Sequence, residues 1–185
     1  MGNFGLKVNR FYEIFVEQNG YVMVLEGLKN TLLIAVIGLI IGIVIGTLIA
    51  AIRTIPQYKV LPRVLNGICS VYVGIFRGTP MVVQLLVFYY VMLPLMGVKM
   101  TGVQVSMIVF GLNSAAYISE IMRSGIMSVD SGQMEAGRAV GLSYGTTMMK
   151  IVIPQAVKNI LPTLGNEFIA LIKETSVVSL SLIHI

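Results

Sequence analysis

Three stretches without a charged residue, Thr31 to Ile52, Gly78 to Val98 and Met100 to Ser119, constrain this chain more than any other feature. Each is about the ~20 residues that a helix needs to cross ~30 Å of hydrocarbon. No water inside lipid can pair with the backbone, so such stretches fold as helices. Composition agrees: 56% hydrophobic and 11% charged residues, with a mean hydropathy of +0.89, lie outside the balance of a soluble domain. A fourth stretch, Val157 to Val178, is mostly apolar but carries Glu167, Lys173 and Glu174. The expected fold is all-α, a polytopic transmembrane helical bundle of four to five spans.

Val64 to Phe76 is a further uncharged run, short for a span, between Arg63 and Arg77. It reads either as an interfacial or re-entrant helix or, the favoured alternative, as part of one long helix bent at Gly78-Thr79-Pro80, because proline removes a backbone donor and crowds the preceding turn. The first apolar run starts too far in and is too long for a cleavable signal sequence. Cys69 is the single cysteine, so it is read as a small buried apolar residue and not as half of a disulfide or part of a metal cluster. The last six residues, Leu180 to Ile185, resemble the in-frame translation of a common sequencing-library transposon adapter. On that reading natural sequence stops near Ser179, His184 has no functional meaning and a further span is missing.

Short loops set orientation through their Lys and Arg residues. Arg53, Lys59 and Arg63 follow the first span and Arg77 precedes the second, whereas Lys99 alone lies between the second and third. Arg123, Arg138 and Lys150 follow the third. Both basic loops are therefore assigned to the cytoplasm, and the N-terminus to the outside. In the first span Gly38, Gly42, Gly46 and Ala50 recur every fourth residue, a smooth stripe suited to helix packing in lipid. The alternative is that glycine is simply frequent in membrane helices.

Between hydrophobic spans, Met127 to Lys150 reads as two short helices joined by a turn. Asp130 suits the N-cap with Gln133 at the third helical position, Gly141 the left-handed position that ends a helix, and Ser143 the next cap. The first helix presents Glu135 and Arg138 beside a small apolar face of Ala136, Ala139 and Val140, a surface that can fill a groove in a partner.

Glu135-Ala136-Gly137, then Gly141, then Ile151-Val152-Ile153-Pro154 is similar to the EAA loop of the inner-membrane permease subunits of ATP-binding-cassette importers, written E-A-A-x3-G-x9-I-x-L-P. Glu135, Ala136, Gly141, Ile151 and Pro154 match in identity and spacing. Gly137 stands for the third small residue, at up to ~1 kcal/mol of helix propensity, and Ile153 for leucine. Further stretches narrow the resemblance to the polar amino acid uptake group: Glu26 to Thr31, Phe76-Arg77-Gly78-Thr79-Pro80, Leu112 to Tyr117, Leu164 to Phe168 and Lys173 to Ser176. The resemblance implies a type I importer permease of five helices, here without most of the fifth, over residues 1–179. Its coupling loop, about 123–156, would insert into a separate ATPase subunit. The implied partners are a second permease subunit, ABC ATPase subunits and an extracellular or periplasmic solute-binding protein, in a bacterial cytoplasmic membrane. No G-x-x-x-x-G-K-[ST] segment occurs in the chain, so hydrolysis is expected elsewhere. No cofactor, metal or nucleic acid is implied.

Ionisable groups within a span are retained mainly where they face a wet cavity or the bundle interior. Asn166, Glu167 and Glu174, with Asn113, are therefore the substrate-pathway candidates. Glu167 and Glu174 project from one face with Ala170 between them and suit an ammonium or a cationic side chain. Alternatively, Glu174 and Lys173 snorkel at the outer interface, and Glu167 is a buried carboxylate paired through Asn113 or Tyr117. Glu120 and Arg123 read as an interfacial pair rather than a proton relay, and Arg77 as a headgroup anchor in preference to a contact with the nucleotide-binding partner. A membrane hydrolase lacks a nucleophile beside a usable base. An ion-coupled secondary amino acid transporter or channel is the serious rival, but a self-contained carrier needs no helix-Gly-helix docking element.

Overall fold

A computed structural model describes residues 2–55 and 58–178, so the proposed adapter tail and His184 lie outside the described residues. Those residues form α1 (Gly2–Tyr12), α2 (Gly20–Thr54), α3 (Val60–Gly78), α4 (Met81–Val87), α5 (Leu93–Leu95), α6 (Gly102–Met127), α7 (Ser131–Ala139), α8 (Tyr144–Thr147) and α9 (Ile153–Val178). Three π-turns join α1 towards α2, α4 to α5 and α8 to α9. By length and hydropathy α2, α3 and α6 each suffice to cross a membrane among the described residues, while Met81–Leu95 is a shorter apolar helix.

The glycine stripe sets the centre of the bundle. A Cβ on Gly38 would lie 3.3 Å from Phe110, one on Gly42 2.8 Å from the Ser114 hydroxyl, and one on Gly46 2.9 Å from the Ala115 carbonyl. Gly111 returns the fit, with its hydrogen where a Cβ would meet Ile41 at 2.6 Å. Small residues thus bring α2 and α6 together along their length, which dispersion rewards in lipid where burial of apolar groups does not. Partners rise together in number, from Gly38 with Phe110 to Arg53 with Glu120, so α2 and α6 run parallel. α9 runs the other way: Gly125 packs on Ile160, Ser114 bonds Glu167, and Thr31 bonds Thr175.

Parallel α2 and α6 require one net return between them, which α3, α4 and α5 together supply. The second span is therefore not Gly78 to Val98 but Val60 to Leu95, and the expected bend is a break. Thr79 (φ −117°, ψ 143°) and Pro80 (φ −62°, ψ 140°) are extended. Proline excludes the residue before it from the helical region, so the chain leaves the helix and does not merely bend. The third span also runs further than expected, to Met127. Cys69 is half-buried beside the small cluster of Ile49, Val73 and Ala116. α1 is an exposed helix whose Lys7 and Arg10 keep it from being an uncharged run.

Candidate functional site

Two features of this bundle are built for more than spanning. The first is the break. Ending α3 in mid-bundle frees carbonyls that lipid cannot satisfy. Gln84, buried on the first turn of α4, donates its side-chain amide to the carbonyls of Phe76 (2.8 Å) and Thr79 (3.0 Å) and to the Thr79 hydroxyl (2.8 Å). Asn113 on α6 donates to the Phe76 carbonyl (3.1 Å) and to Gln84 Oε1 (3.0 Å). Opposite the same turns of α6, the Tyr72 hydroxyl donates to the Leu112 carbonyl. Arg77 stands over the ring of Tyr117, 5.1 Å from its centroid. Residues 112–117 lie at the middle of α6, so Arg77 stands beside the middle of that helix and not beside either of its ends.

The four pathway candidates occupy different surroundings. Asn113 is buried and spent on the break. Glu167 accepts a hydrogen bond from the hydroxyl of Ser114 (3.0 Å) and not from Asn113 or Tyr117. Asn166 and Glu174 are exposed on α9. Positions 113 and 114 are adjacent on α6 yet address the break and α9 respectively, so these candidates do not form one cluster.

The second feature is the elbow between α6 and α9. Asp130 Oδ1 accepts from the Gly132 amide (2.7 Å) and caps α7 as expected. The reciprocal half of the box is not made: Gln133 Oε1 instead accepts from Gln155 Nε2 (3.2 Å), tying α7 to the start of α9. Gly141 takes φ +88°, and the amides of Leu142 and Gly141 return to the carbonyls of Gly137 and Arg138. This left-handed turn closes α7, and Ser143 caps α8 through the Thr146 amide (3.2 Å). The second short helix is not separate, since α8 continues through the π-turn Met148–Val152 into α9. There the Ile153 amide reaches back to Met148, a wide turn just ahead of Pro154, which has no amide to give.

Gly137 is more than a tolerated departure from alanine. A Cβ there would sit 2.4 Å from Thr147 Cγ2 and 2.9 Å from its hydroxyl, and Thr147 is fully buried with that hydroxyl bonded to the Ser143 carbonyl. The glycine lets α7 close on α8. Asn159 also donates to Ser128 (2.9 Å), fastening α9 to the chain leaving α6. On the outside Glu135, Ala136, Arg138, Ala139 and Val140 are exposed, Val140 at 77%, with Ile151 half-buried and Pro154 exposed at the base. Glu120, expected to pair with Arg123 alone, is held by Arg53 at the end of α2 as well, with Arg123 Nε at 3.3 Å. Because α2 and α6 run parallel, the Arg53 end and the elbow lie on one side of the bundle.

Gln84, Ser114, Arg53 and Thr147 join these features through distant partners that no local sequence pattern marks. Beside Pro80 itself, a glutamine four residues further on in an otherwise apolar run is the sequence signal for what seals the break.

Three helices long and apolar enough to cross a membrane, packed as one bundle with an elbow between α6 and α9, are the architecture of a polytopic membrane protein. The family of binding-protein-dependent transport system inner membrane components matches residues 38–182, and the chain belongs to it. It is a permease subunit, the transmembrane and non-catalytic part of such a system. The chain is 42% identical over 157 residues to a candidate glutamine transport system permease protein GlnP of Rickettsia bellii (strain RML369-C), covering 85% of this chain and 70% of that one. It is 40% identical over 156 residues to the arginine transport system permease protein ArtQ of Bacillus subtilis (strain 168), covering 84% and 69%. Among solved structures, an amino acid ABC transporter with histidines superposes with a TM-score of 0.79 at 36% identity, covering 90% of this chain and 75% of that one.

Proposed function

We propose that the chain carries a polar amino acid inward across the cytoplasmic membrane, driven by ATP hydrolysis on separate ABC ATPase subunits. A second permease subunit, the same or a homologous chain, completes the path, and an extracellular or periplasmic solute-binding protein delivers the substrate. The N-terminus lies outside and the elbow in the cytoplasm, in keeping with the basic residues at the elbow end. The observation that carries this reading is the elbow itself. An exposed tip of Glu135, Ala136, Ala139 and Val140 rides on a turn closed at Gly141 and packed at Gly137. At its base, Gln133 and Ser128 tie it to Gln155 and Asn159 of α9. A rigid lever of this kind transmits displacement into two spans, which a self-powered carrier does not need. Ile151 and Pro154 form its base, and Glu167 with Asn166 and Glu174 faces the substrate path.

The test is reconstitution of the full-length gene product with the ATPase of its transport system in proteoliposomes. Uptake of labelled L-glutamine or L-arginine that requires ATP and the ATPase supports the reading. Uptake by the permease alone, driven by an ion gradient, overturns it in favour of a secondary carrier.

A further inference from the structure

At the end of the bundle opposite the elbow, α1 and the start of α2 meet in a built corner. The chain runs from α1 through the π-turn Glu13–Glu17 to Asn19, which takes φ +56°, the one positive φ outside glycine among the described residues. A Cβ on Gly20 would lie 2.7 Å from the Ile14 carbonyl oxygen, so the turn closes this tightly only on a glycine. Phe15 stacks on Phe11, with ring centroids 5.4 Å apart, and meets Tyr21 edge to face across the corner at 6.4 Å. The corner therefore fixes the direction of α1 against α2.

α1 itself is two-faced. Phe4, Val8, Phe11 and Tyr12 follow the i, i+4, i+7, i+8 spacing of one helix face, and all are exposed, Phe4 at 78% and Phe11 at 66%. Asn9 and Arg10 take the other side and Lys7 the edge, with Leu6 the one apolar residue among them. Lys7 and Arg10 are the only charges of α1, since Glu13 and Glu17 come at the corner. The height of that corner follows from α2. Tyr21, Val24, Leu25, Leu28 and Leu32 are exposed along one face of α2, with Glu26 turned away from it, so this side stays apolar up to Tyr21. From Tyr21 to Arg53 the helix is about 48 Å long at ~1.5 Å per residue, which an ordinary tilt of ~20° fits to the ~40–45 Å of a bilayer with its headgroups. Asn19 and Gly20 thus stand at headgroup level, and α1 leaves the span there.

We infer that α1 is an interfacial helix docked on the anionic surface of the membrane opposite the elbow, with Phe4, Val8, Phe11 and Tyr12 sunk to the acyl boundary and Lys7 and Arg10 on lipid phosphates. A helix with aromatic groups on one face and cations beside and behind them lies flat in that zone, and each cation adds attraction to anionic headgroups. Joined to α2 by a stiff corner, the docked helix sets the tilt and rotation of the span whose other end holds Glu120 through Arg53. Such anchoring is independent of which solute is carried.

The experiment places single nitroxide labels, through Val8→Cys, Asn9→Cys and Phe11→Cys, on the full-length permease in complex with its ATPase subunits, in a background freed of other cysteines by changes that include Cys69→Ser. The complex is reconstituted in vesicles of phosphatidylethanolamine with phosphatidylglycerol, and in vesicles of phosphatidylcholine alone. Collision with oxygen, which concentrates among acyl chains, is compared with collision with a polar nickel chelate, which stays in water. In the anionic vesicles oxygen should outweigh the chelate several-fold at positions 8 and 11, and the chelate should prevail at position 9. Lys7→Gln with Arg10→Gln, or the change to phosphatidylcholine, should weaken that contrast. Chelate access at all three positions overturns the inference. So does shielding of positions 8 and 11 from both reagents, which would put another protein surface on this face, and so does chelate access that is lost only when the solute-binding protein is added. A contrast unchanged by loss of both cations overturns the choice of an anionic surface.

Discussion

The side-chain amide of Asn113 donates to the carbonyl of Phe76 at 3.1 Å, closing from α6 a gap in a different crossing. A residue read in the sequence as a polar group facing substrate is part of what makes a broken helix tolerable within a bundle. It shares the work with Gln84, and the two amides also bond each other at 3.0 Å.

Replacing Asn113 by Leu removes the bond from α6 and leaves Gln84 Oε1 without its donor, at a cost of roughly 1–3 kcal/mol. Gln84→Leu is expected to cost more, because it leaves the Thr79 carbonyl without its side-chain donor and the Asn113 amide without its acceptor, while the Phe76 carbonyl keeps Asn113 alone. The pair should be markedly non-additive in a double-mutant cycle. Thermal unfolding in detergent reads all three variants, and an unchanged midpoint for Gln84→Leu would mean that the break is sealed by something else.

Close approach of α2 and α6 depends on hydrogens at Gly42 and Gly46, where any Cβ meets Ser114, Ala115 or Ile118 within about 3 Å. Gly46→Val should destabilise by about 1–3 kcal/mol or more, since a backbone carbonyl cannot step aside. Gly27→Ala on the same helix meets nothing within 4 Å and should be neutral or slightly stabilising. Equal unfolding midpoints for the two variants would contradict the packing described.

At the elbow the helix propensity and the packing of Gly137 pull in opposite directions. Alanine would gain up to ~1 kcal/mol as a helix former but would drive its methyl into Thr147 Cγ2, and overpacking at a fully buried threonine costs about 1–3 kcal/mol. Gly137→Ala should therefore lower stability, and adding Thr147→Ser, which removes the methyl at 2.4 Å but leaves the hydroxyl at 2.9 Å, should restore part of it. A stabilised single variant, by melting temperature, would show that propensity wins.

How far the sequence reaches follows from the range of each interaction. α2 and α6 are legible because uncharged runs of the right length have one fate in lipid, and the stripe of Gly38, Gly42 and Gly46 marks the face that meets α6. Local caps are legible too, since Asp130, Gly141 and Ser143 bond within a few residues of themselves. What depends on a distant partner is not. The depth of the break at Thr79 and Pro80 is set by Asn113, 37 residues from the carbonyl it holds. Gln133 fails to complete its capping box because Gln155, 22 residues on, claims it. Gly137 looks like a weak helix former until Thr147 is placed against it, and nothing near Arg77 in the sequence marks Tyr117, 40 residues on, as its neighbour.

Central to the account is that the elbow passes the work of a separate ATPase into α6 and α9. The most direct measurement is amino acid taken up per ATP hydrolysed, in proteoliposomes holding the full-length permease and its ATPase, for variants of the exposed tip such as Ala136→Asp and Val140→Asp. Both side chains are exposed and bury nothing within the chain, so assembly of the bundle should persist. The account predicts that hydrolysis continues or slows while uptake per ATP falls by about tenfold or more. Uptake that still follows hydrolysis in wild-type proportion would contradict it.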